Sequence, residues 1–417
     1  MSGDCEDFVL QDILKNETIC TYFQPIVSLK TGEILAYEAL VRGLRQNSPS
    51  LITPCELFDR ACQETVSLEF DRLCRKKALE SFKAFHSSSR AMMFLNINTA
   101  AIESDATERP HISKISSQMG FNPEHLGIEL IESRAQSSDD LIEFVRHYRE
   151  SGFLIVIDDF GCEHSNIDRL IQIHPDIIKV DRSIISGIED DPYRQSILKS
   201  IYSLAQMTGS LCLAEGVETL EEIKVCHQLG VDLFQGFAIA CPEPDLPALE
   251  EKTLVRVAEI RKELRTSSLE ALRSRRRLTG DIHVLADWLI RQISTDDLES
   301  LSPVFQEFMA LNNEIECIYL LNPDGFQVSD TILSPIIAGK TRPSIFTPAT
   351  TGADHSFKAY FTCFEALRVH RYLTDVYLSL ASGNLCRTFS VQIERNGQCA
   401  FILCIDFLEE GIRSPHA

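Results

Sequence analysis

The chain has 417 residues, more than one compact domain usually holds, with 44% hydrophobic and 24% charged residues. Those proportions exclude a mostly disordered, collagen-like or repeat-built chain. A formal net charge of −21, from 61 acidic and 40 basic residues, repels polyanions, which argues against nucleic-acid polymers and anionic membranes as partners.

In chain order, short apolar runs read as strands at 21–27, 34–40, 92–97, 126–131, 154–158, 177–180, 211–215 and 231–235. Most are separated by helix-length amphipathic segments, such as 139–150 and 193–208. Eight strands alternating with helices predict a (β/α)8 barrel. Strands one and two are joined only by SLKTGE (28–33), too short for a parallel crossover, so this pair is expected to be antiparallel. Pro242, Pro244 and Pro247 close the region. A charged stretch then carries Leu254, Val257, Ile260 and Leu264 at helical spacing. Its basic run, Arg273 and 275–277, reads as a solvated helix face in so acidic a chain. From about 282 onward a helical segment gives way to strands at 315–321, 327–330, 385–394 and 399–407, with turns at 323–325 and 396–397, an α+β pattern. The expected division is therefore a barrel over 1–248, a connecting helix over 249–293 and an α+β domain over 294–417.

Apolar runs such as 153–157 are far shorter than the roughly 20 residues of a membrane-spanning helix. The acidic start MSGDCEDFVLQ has no secretory-signal pattern, so a cytoplasmic protein is expected. The 14 cysteines, scattered and without a CxxC pair, read mostly as reduced core thiols rather than a zinc site.

Working residues of such a barrel lie at the C-terminal ends of its strands. Those ends carry Glu38, Asn96, Glu129, Asp158 with Asp159, Lys179 with Asp181, Glu215 and Gln235. One rim carboxylate is ordinarily a solvated or capping residue. Five strands converging oxygen donors on one mouth repel one another unless cations sit among them. Oxygen donors without histidine or thiolate favour Mg2+ or Mn2+. Two such ions clamp a phosphodiester for in-line attack, and Lys179 is placed to stabilise the developing charge.

The residues Glu38-Ala39-Leu40 within YEALVRG, followed in order by FLNIN, IELIE, IDDFG, IKVDR, AEGVE and FQGF and preceded by FQPIV, resemble the EAL-domain phosphodiesterases over about 8–245. That resemblance implies a modified (β/α)8 TIM-like barrel hydrolysing cyclic di-GMP to linear pGpG with Mg2+ or Mn2+. On the matching positions it implies Glu38, Asn96, Glu129 and Asp158 as ligands of one metal and Asp158 and Asp159 as ligands of a second. Glu215 is implied as ligand or general base, and Lys179 as the catalytic lysine. Gln24, Arg42, Gln235 and Pro242 match substrate-contacting positions, Asp181 and Glu218 supporting or substrate-contacting ones, and Glu132 the anchor of the loop after the fifth strand. The chain departs from the family at Cys162-Glu163-His164-Ser165-Asn166, where Thr-Gly-Tyr-Ser-Ser is usual, and at Asn98, where serine is usual. The altered loop keeps open an alternative, a catalytically weak or inactive receptor or scaffold for cyclic di-GMP. The C-terminal segments NPDGFQVSD, KAYF, VYLSLASGNLCRTFSV and AFILCIDF resemble a PAS/Cache-like domain, implying a sensory or dimerisation module with an unknown small ligand or protein partner. A homodimer is expected.

Overall fold

The computed structural model describes residues 8–45, 50–86, 89–97, 111–131, 138–162, 167–293, 301–339, 343–395 and 397–408, with the backbone alone at 131, 138, 271, 272 and 274–279. Glu132, Asn98, Asn396, residues 163–166 of the altered loop and the side chains of 275–277 lie outside that description. The chain divides into two compact units, Met1–Ser268 and Leu269–Ala417.

The first unit contains β1 (Ile19–Ser28), β2 (Glu33–Leu44), β3 (Leu51–Ile52), β4 (Met92–Ile97), β5 (Leu126–Ile131), β6 (Leu154–Phe160), β7 (Ile177–Val180), β8 (Leu211–Ala214) and β9 (Leu233–Phe234). The ring runs β1-β9-β8-β7-β6-β5-β4-β2 and closes through the β1–β2 pair. All eight expected barrel strands form, and β1 is antiparallel to both neighbours, as the short 28–33 connection requires. The two-residue β3 adds to β2 beyond the ring. Strand β9 is shorter than expected, although Gln235 still donates its N–H to Ala214 O at 3.0 Å. The chain then passes so close to the next turn that a Cβ on Gly236 would lie 2.1 Å from Val217 O.

Helices start and stop where their caps say they should. Thr219 and Glu222 form a capping box at Leu220–Leu229, and Asp191 caps Pro192–Thr208 through the N–H groups of Tyr193 and Arg194. Gly209 and Gly230 end these two helices in left-handed geometry. Their apolar stripes pack on the outside of the barrel with Phe23, Tyr37 and Leu95.

Inside the ring the two-residue period of a strand sorts side chains into layers. Ile26, Ala36, Phe94, Val156, Ile177, Leu213 and Leu233 form a buried apolar plug. Gly127 leaves room for the Phe94 ring, which a Cβ there would meet at 2.5 Å. Two residues further toward the mouth the same strands carry Glu38, Asn96, Asp158, Lys179, Glu215 and Gln235, with Glu129 following Gly127. Strand β1 runs the other way, so its polar member, Gln24, precedes Ile26 and lies opposite Glu38.

A 47-residue helix, Leu246–Gln292, runs through the unit boundary. Val257, Ile260 and Leu264 pack into the first core as expected, but Leu254 is exposed, because Thr253 takes the buried position. Its later residues Ala286 and Leu289 belong to the second core. No helix among the described residues is long and apolar enough to cross a membrane.

The second unit holds β10 (Ile315–Leu321), β11 (Ile332–Leu333), β12 (Arg371–Leu373), β13 (Tyr377–Leu378), β14 (Leu385–Arg395) and β15 (Gln398–Leu408), ordered β11-β10-β15-β14-β12 with β13 on β14. One face is apolar and packs on Leu301–Leu311 and the end of the long helix. The other carries Cys317, Tyr319, Cys404, Thr388 and Asp406 and packs on Ala359–Leu367. The strand expected at 327–330 is not one. The Asn322 side chain accepts from the N–H groups of Asp324 and Phe326, and Gln327 buries its amide on Ser329 O and Thr331, so the segment keeps only an isolated bridge between Leu321 and Gln327, and regular pairing resumes at β11. All 13 described cysteines are free, and six are buried.

Candidate active site

The polar layer converges on Lys179, whose side chain is fully buried. Its Nζ lies 2.9 Å from Asp158 Oδ1, 3.2 Å from Glu129 Oε1, 3.4 Å from Glu215 Oε2 and 3.5 Å from Glu38 Oε2. Burial works against charge on Lys179, but Asp158, Glu129, Glu38 and Glu215 outweigh it and raise its pKa well above the ordinary lysine value. Glu38 also accepts from Gln235 Nε2 at 2.6 Å and from Asn96 Nδ2 at 2.8 Å. Gln235 reaches Gln24 Oε1 at 3.2 Å, and Gln24 donates to Ala240 O, just before Pro242.

One ammonium does not balance four carboxylates. Burial, then the charge of Glu38, raises the Glu129 carboxyl well above its usual range. Burial pushes Glu215 up to about 8 against the pull of Lys179, and pushes Asp159 up to about 6 with Asp158 adding to it. Both Glu129 oxygens, Asp158 Oδ1 and Glu215 Oε2 are buried without a directed hydrogen bond. Oxygens of Asp158, Asp159 and Glu215 all lie within 4.8 Å of one another. This donor set fits a hard divalent cation: it is all oxygen, under-compensated and open to further coordination.

Strand β6 supplies two donors because its register with β7 shifts between Ile157 and Phe160. Asp159 takes φ 55°, a left-handed conformation that aspartate tolerates better than most residues. The bulge makes Asp158 common to the group around Lys179 and to the Asp158–Asp159–Glu215 cluster.

Other expected residues lie near this centre or face elsewhere. Arg42 bonds Val41 O at 2.8 Å and stacks over the Tyr22 ring at 5.6 Å. Asp181 caps the short helix Arg182–Ile185 through Ser183 N. Glu218 pairs with Arg182, a partner the sequence reading did not single out. That reading also passed over Asp71 and Arg75, a buried ion pair four residues apart on the helix Ser67–His86. Their signal was opposite charges at i and i+4 on a stripe shared with Ala78.

Residues 9–242 match the EAL domain. The chain belongs to the EAL-domain family. Over 397 residues it is 24% identical to the uncharacterized EAL-domain containing protein YkuI of Bacillus subtilis, covering 92% of this chain and 94% of that one. Over 248 residues it is 27% identical to the probable cyclic di-GMP phosphodiesterase PdeB of Escherichia coli, covering 59% of this chain and 47% of that relative. In fold it resembles the crystal structure of Bacillus subtilis YkuI in complex with substrate c-di-GMP and calcium, with a TM-score of 0.77 at 21% identity over 97% of this chain and all of that one. The EAL tripeptide itself, Glu38-Ala39-Leu40, thus lies in β2 with only its glutamate turned onto Lys179.

Proposed function

We propose that this EAL protein is a metal-dependent phosphodiesterase that opens cyclic di-GMP to linear pGpG. The observation that carries the reading is the under-compensated ring of Glu38, Glu129, Asp158 and Glu215 about Lys179 at the barrel mouth. Glu38, Asn96, Glu129 and Asp158 would hold one divalent ion, and Asp158 with Asp159 a second, Mg2+ or Mn2+ by donor chemistry. When bound, such ions acidify water and neutralise phosphate charge. The chain's own groups do the rest. Lys179 sets a fixed positive charge against charge developing on the phosphate. Glu215, raised to about 8, is suited to hold a proton near neutrality. Arg42 offers a fork to a phosphate, while Gln24, Gln235 and Pro242 line the approach, with Asp181 and Glu218 on the adjoining turns. Glu132 retains its proposed role as loop anchor.

We take 1–248 as the catalytic domain, 249–293 as connector and 294–417 as a PAS/Cache-like sensory domain that regulates turnover. Exposed Val255, Leu269 and Val284 on the long helix support a homodimer, and the free thiols support a cytoplasmic location.

The purified full chain is incubated with cyclic di-GMP and Mn2+ or Mg2+, beside Glu38→Ala. Appearance of pGpG, lost in the variant, is the expected result. Tight binding without product replaces the enzyme by the receptor reading, which the departure at Cys162–Asn166 favours.

A further inference from the structure

Glu215 is the first residue beyond β8, and Asp181 the first beyond β7, so both stand on turns rather than within strands. The turn after β7 passes through the helix Arg182–Ile185 to Gly187, which takes φ 69°. The turn after β8 runs Glu215-Gly216-Val217-Glu218 into the helix Leu220–Leu229. Its first half is tied to the chain on either side, with Glu215 N–H donating to Val180 O and Val217 N–H to Gln235 O, each at 3.1 Å. The two turns touch, since a Cβ on Gly216 would lie 2.9 Å from Arg182 Cβ.

The second half is held by one side chain, Glu222, which is 5% exposed. Its Oε2 accepts from Glu218 N–H at 2.7 Å and from Thr219 N–H at 3.0 Å. Its Oε1 accepts from Gly187 N–H at 3.2 Å. A capping box needs only the Thr219 bond. The other two reach beyond the helix, one to the turn that carries Glu215 and one across to the turn after β7. Arg182 and Glu218 join the same turns, but both side chains are more than a third exposed, so water and salt weaken that pair. Three backbone donors on one buried carboxylate make the stronger clasp.

We propose that Glu222 is a positioning residue for the barrel mouth: its two carboxylate oxygens bind the turns after β7 and β8 to one another and so hold Glu215 beside Asp158 and Asp159. Its role rests on the reading of the mouth as a divalent-cation site. Both oxygens are needed. Glutamine has a single acceptor oxygen, so it keeps either the Glu218 and Thr219 bonds or the Gly187 bond, and its NH2 meets the remaining N–H donor against donor.

Mn2+ binding to the full chain, followed by loss of the free-ion EPR signal, reads the placement of the donors without turnover. Glu222→Gln is expected to weaken Mn2+ binding about tenfold, and excess Mn2+ to bring its turnover of cyclic di-GMP back toward that of the parent. Glu222→Asp, one methylene too short to reach both turns, is expected to weaken binding likewise, so a folding failure of one variant leaves the other. Thr219→Ala is the control. It removes the 3.1 Å bond from Glu222 N–H to Thr219 Oγ1 and leaves all three backbone bonds of the carboxylate in place. It is expected to lower the melting temperature and to bind Mn2+ as the parent does. Parental Mn2+ affinity in Glu222→Gln, or equal weakening in Thr219→Ala, overturns the proposal, because a helix cap would then account for all that Glu222 does. A parent that binds no Mn2+ overturns the cation reading itself, whereas one that binds Mn2+ without forming pGpG overturns only the enzyme and leaves the affinity comparison to decide.

Discussion

At the barrel mouth Glu38, Glu129, Asp158 and Glu215 share a single ammonium, and several of their oxygens have no directed hydrogen bond. In the C-terminal unit Asp406 is as deeply buried, yet each of its oxygens has a neutral donor, Thr388 Oγ1 at 2.7 Å and Cys317 Sγ at 3.2 Å. Burial pushes its carboxyl up to about 6, with those donors pulling the other way. The difference separates two uses of buried acid. A satisfied carboxylate ties strands β10, β14 and β15 together across one sheet face. An unsatisfied cluster stores repulsion that a cation relieves, the usual mark of a reactive site.

The comparison breaks most readily at its centre. Lys179→Ala strands three buried carboxylates and the partly buried Glu215, so denaturant unfolding in EDTA is expected to reveal a loss of about 3–5 kcal/mol, largely restored by Mn2+. A variant as stable as the parent in EDTA and indifferent to Mn2+ would mean that the cluster is not under electrostatic stress.

Glu129→Gln tests the same idea with opposite signs. Cyclic di-GMP turnover is expected to fall by about 10²–10³-fold, while melting temperature in EDTA holds or rises because one repelling charge is gone. Retained turnover would remove Glu129 from the proposed ligand set.

Asp406 sharpens the other side. Its folded pKa, about 6, is above the unfolded value, so between roughly pH 4 and 6 the folded state keeps a proton that the unfolded state has lost. Its contribution therefore makes stability fall as pH rises through that window, by about 3 kcal/mol in all, and stay level above it. Trp288, the chain's one tryptophan, stacks on Phe308 in the same unit and reports its unfolding by fluorescence. Subtracting the profile of Asp406→Asn isolates the term, and parallel profiles would show that Asp406 does not titrate there.

Thr219→Ala, away from both centres, removes one half of a capping box and is expected to cost about 1 kcal/mol, independent of Mn2+. A metal-dependent loss would show that the Leu220–Leu229 helix is coupled to the mouth.

Much of the barrel was legible because its rules are local. Strands β4, β5 and β7 fall on the expected residues, and the six-residue link 28–33 dictated the antiparallel start. Acids two residues beyond apolar interior positions marked the mouth. The 327–330 segment misled because a single apolar residue, Val328, after a turn cannot fix a strand, while side-chain bonds of the buried Gln327 decide its backbone. Strands β12 and β13, of three and two residues, are too short to carry a period and form only because β14 is there to pair with.

By itself the sequence determined which residue types stand at the strand ends, and so the hard-cation chemistry and the family pattern from Gln24 to Pro242. Only the tertiary structure decided that Lys179 sits in the middle of four carboxylates and that a bulge after Ile157 turns Asp158 and Asp159 into neighbours of Glu215. Residue type and spacing are properties of one strand or helix at a time. Charge balance and hydrogen-bond satisfaction depend on which distant segments the closed ring brings within about 4 Å of one another, and no local pattern encodes that.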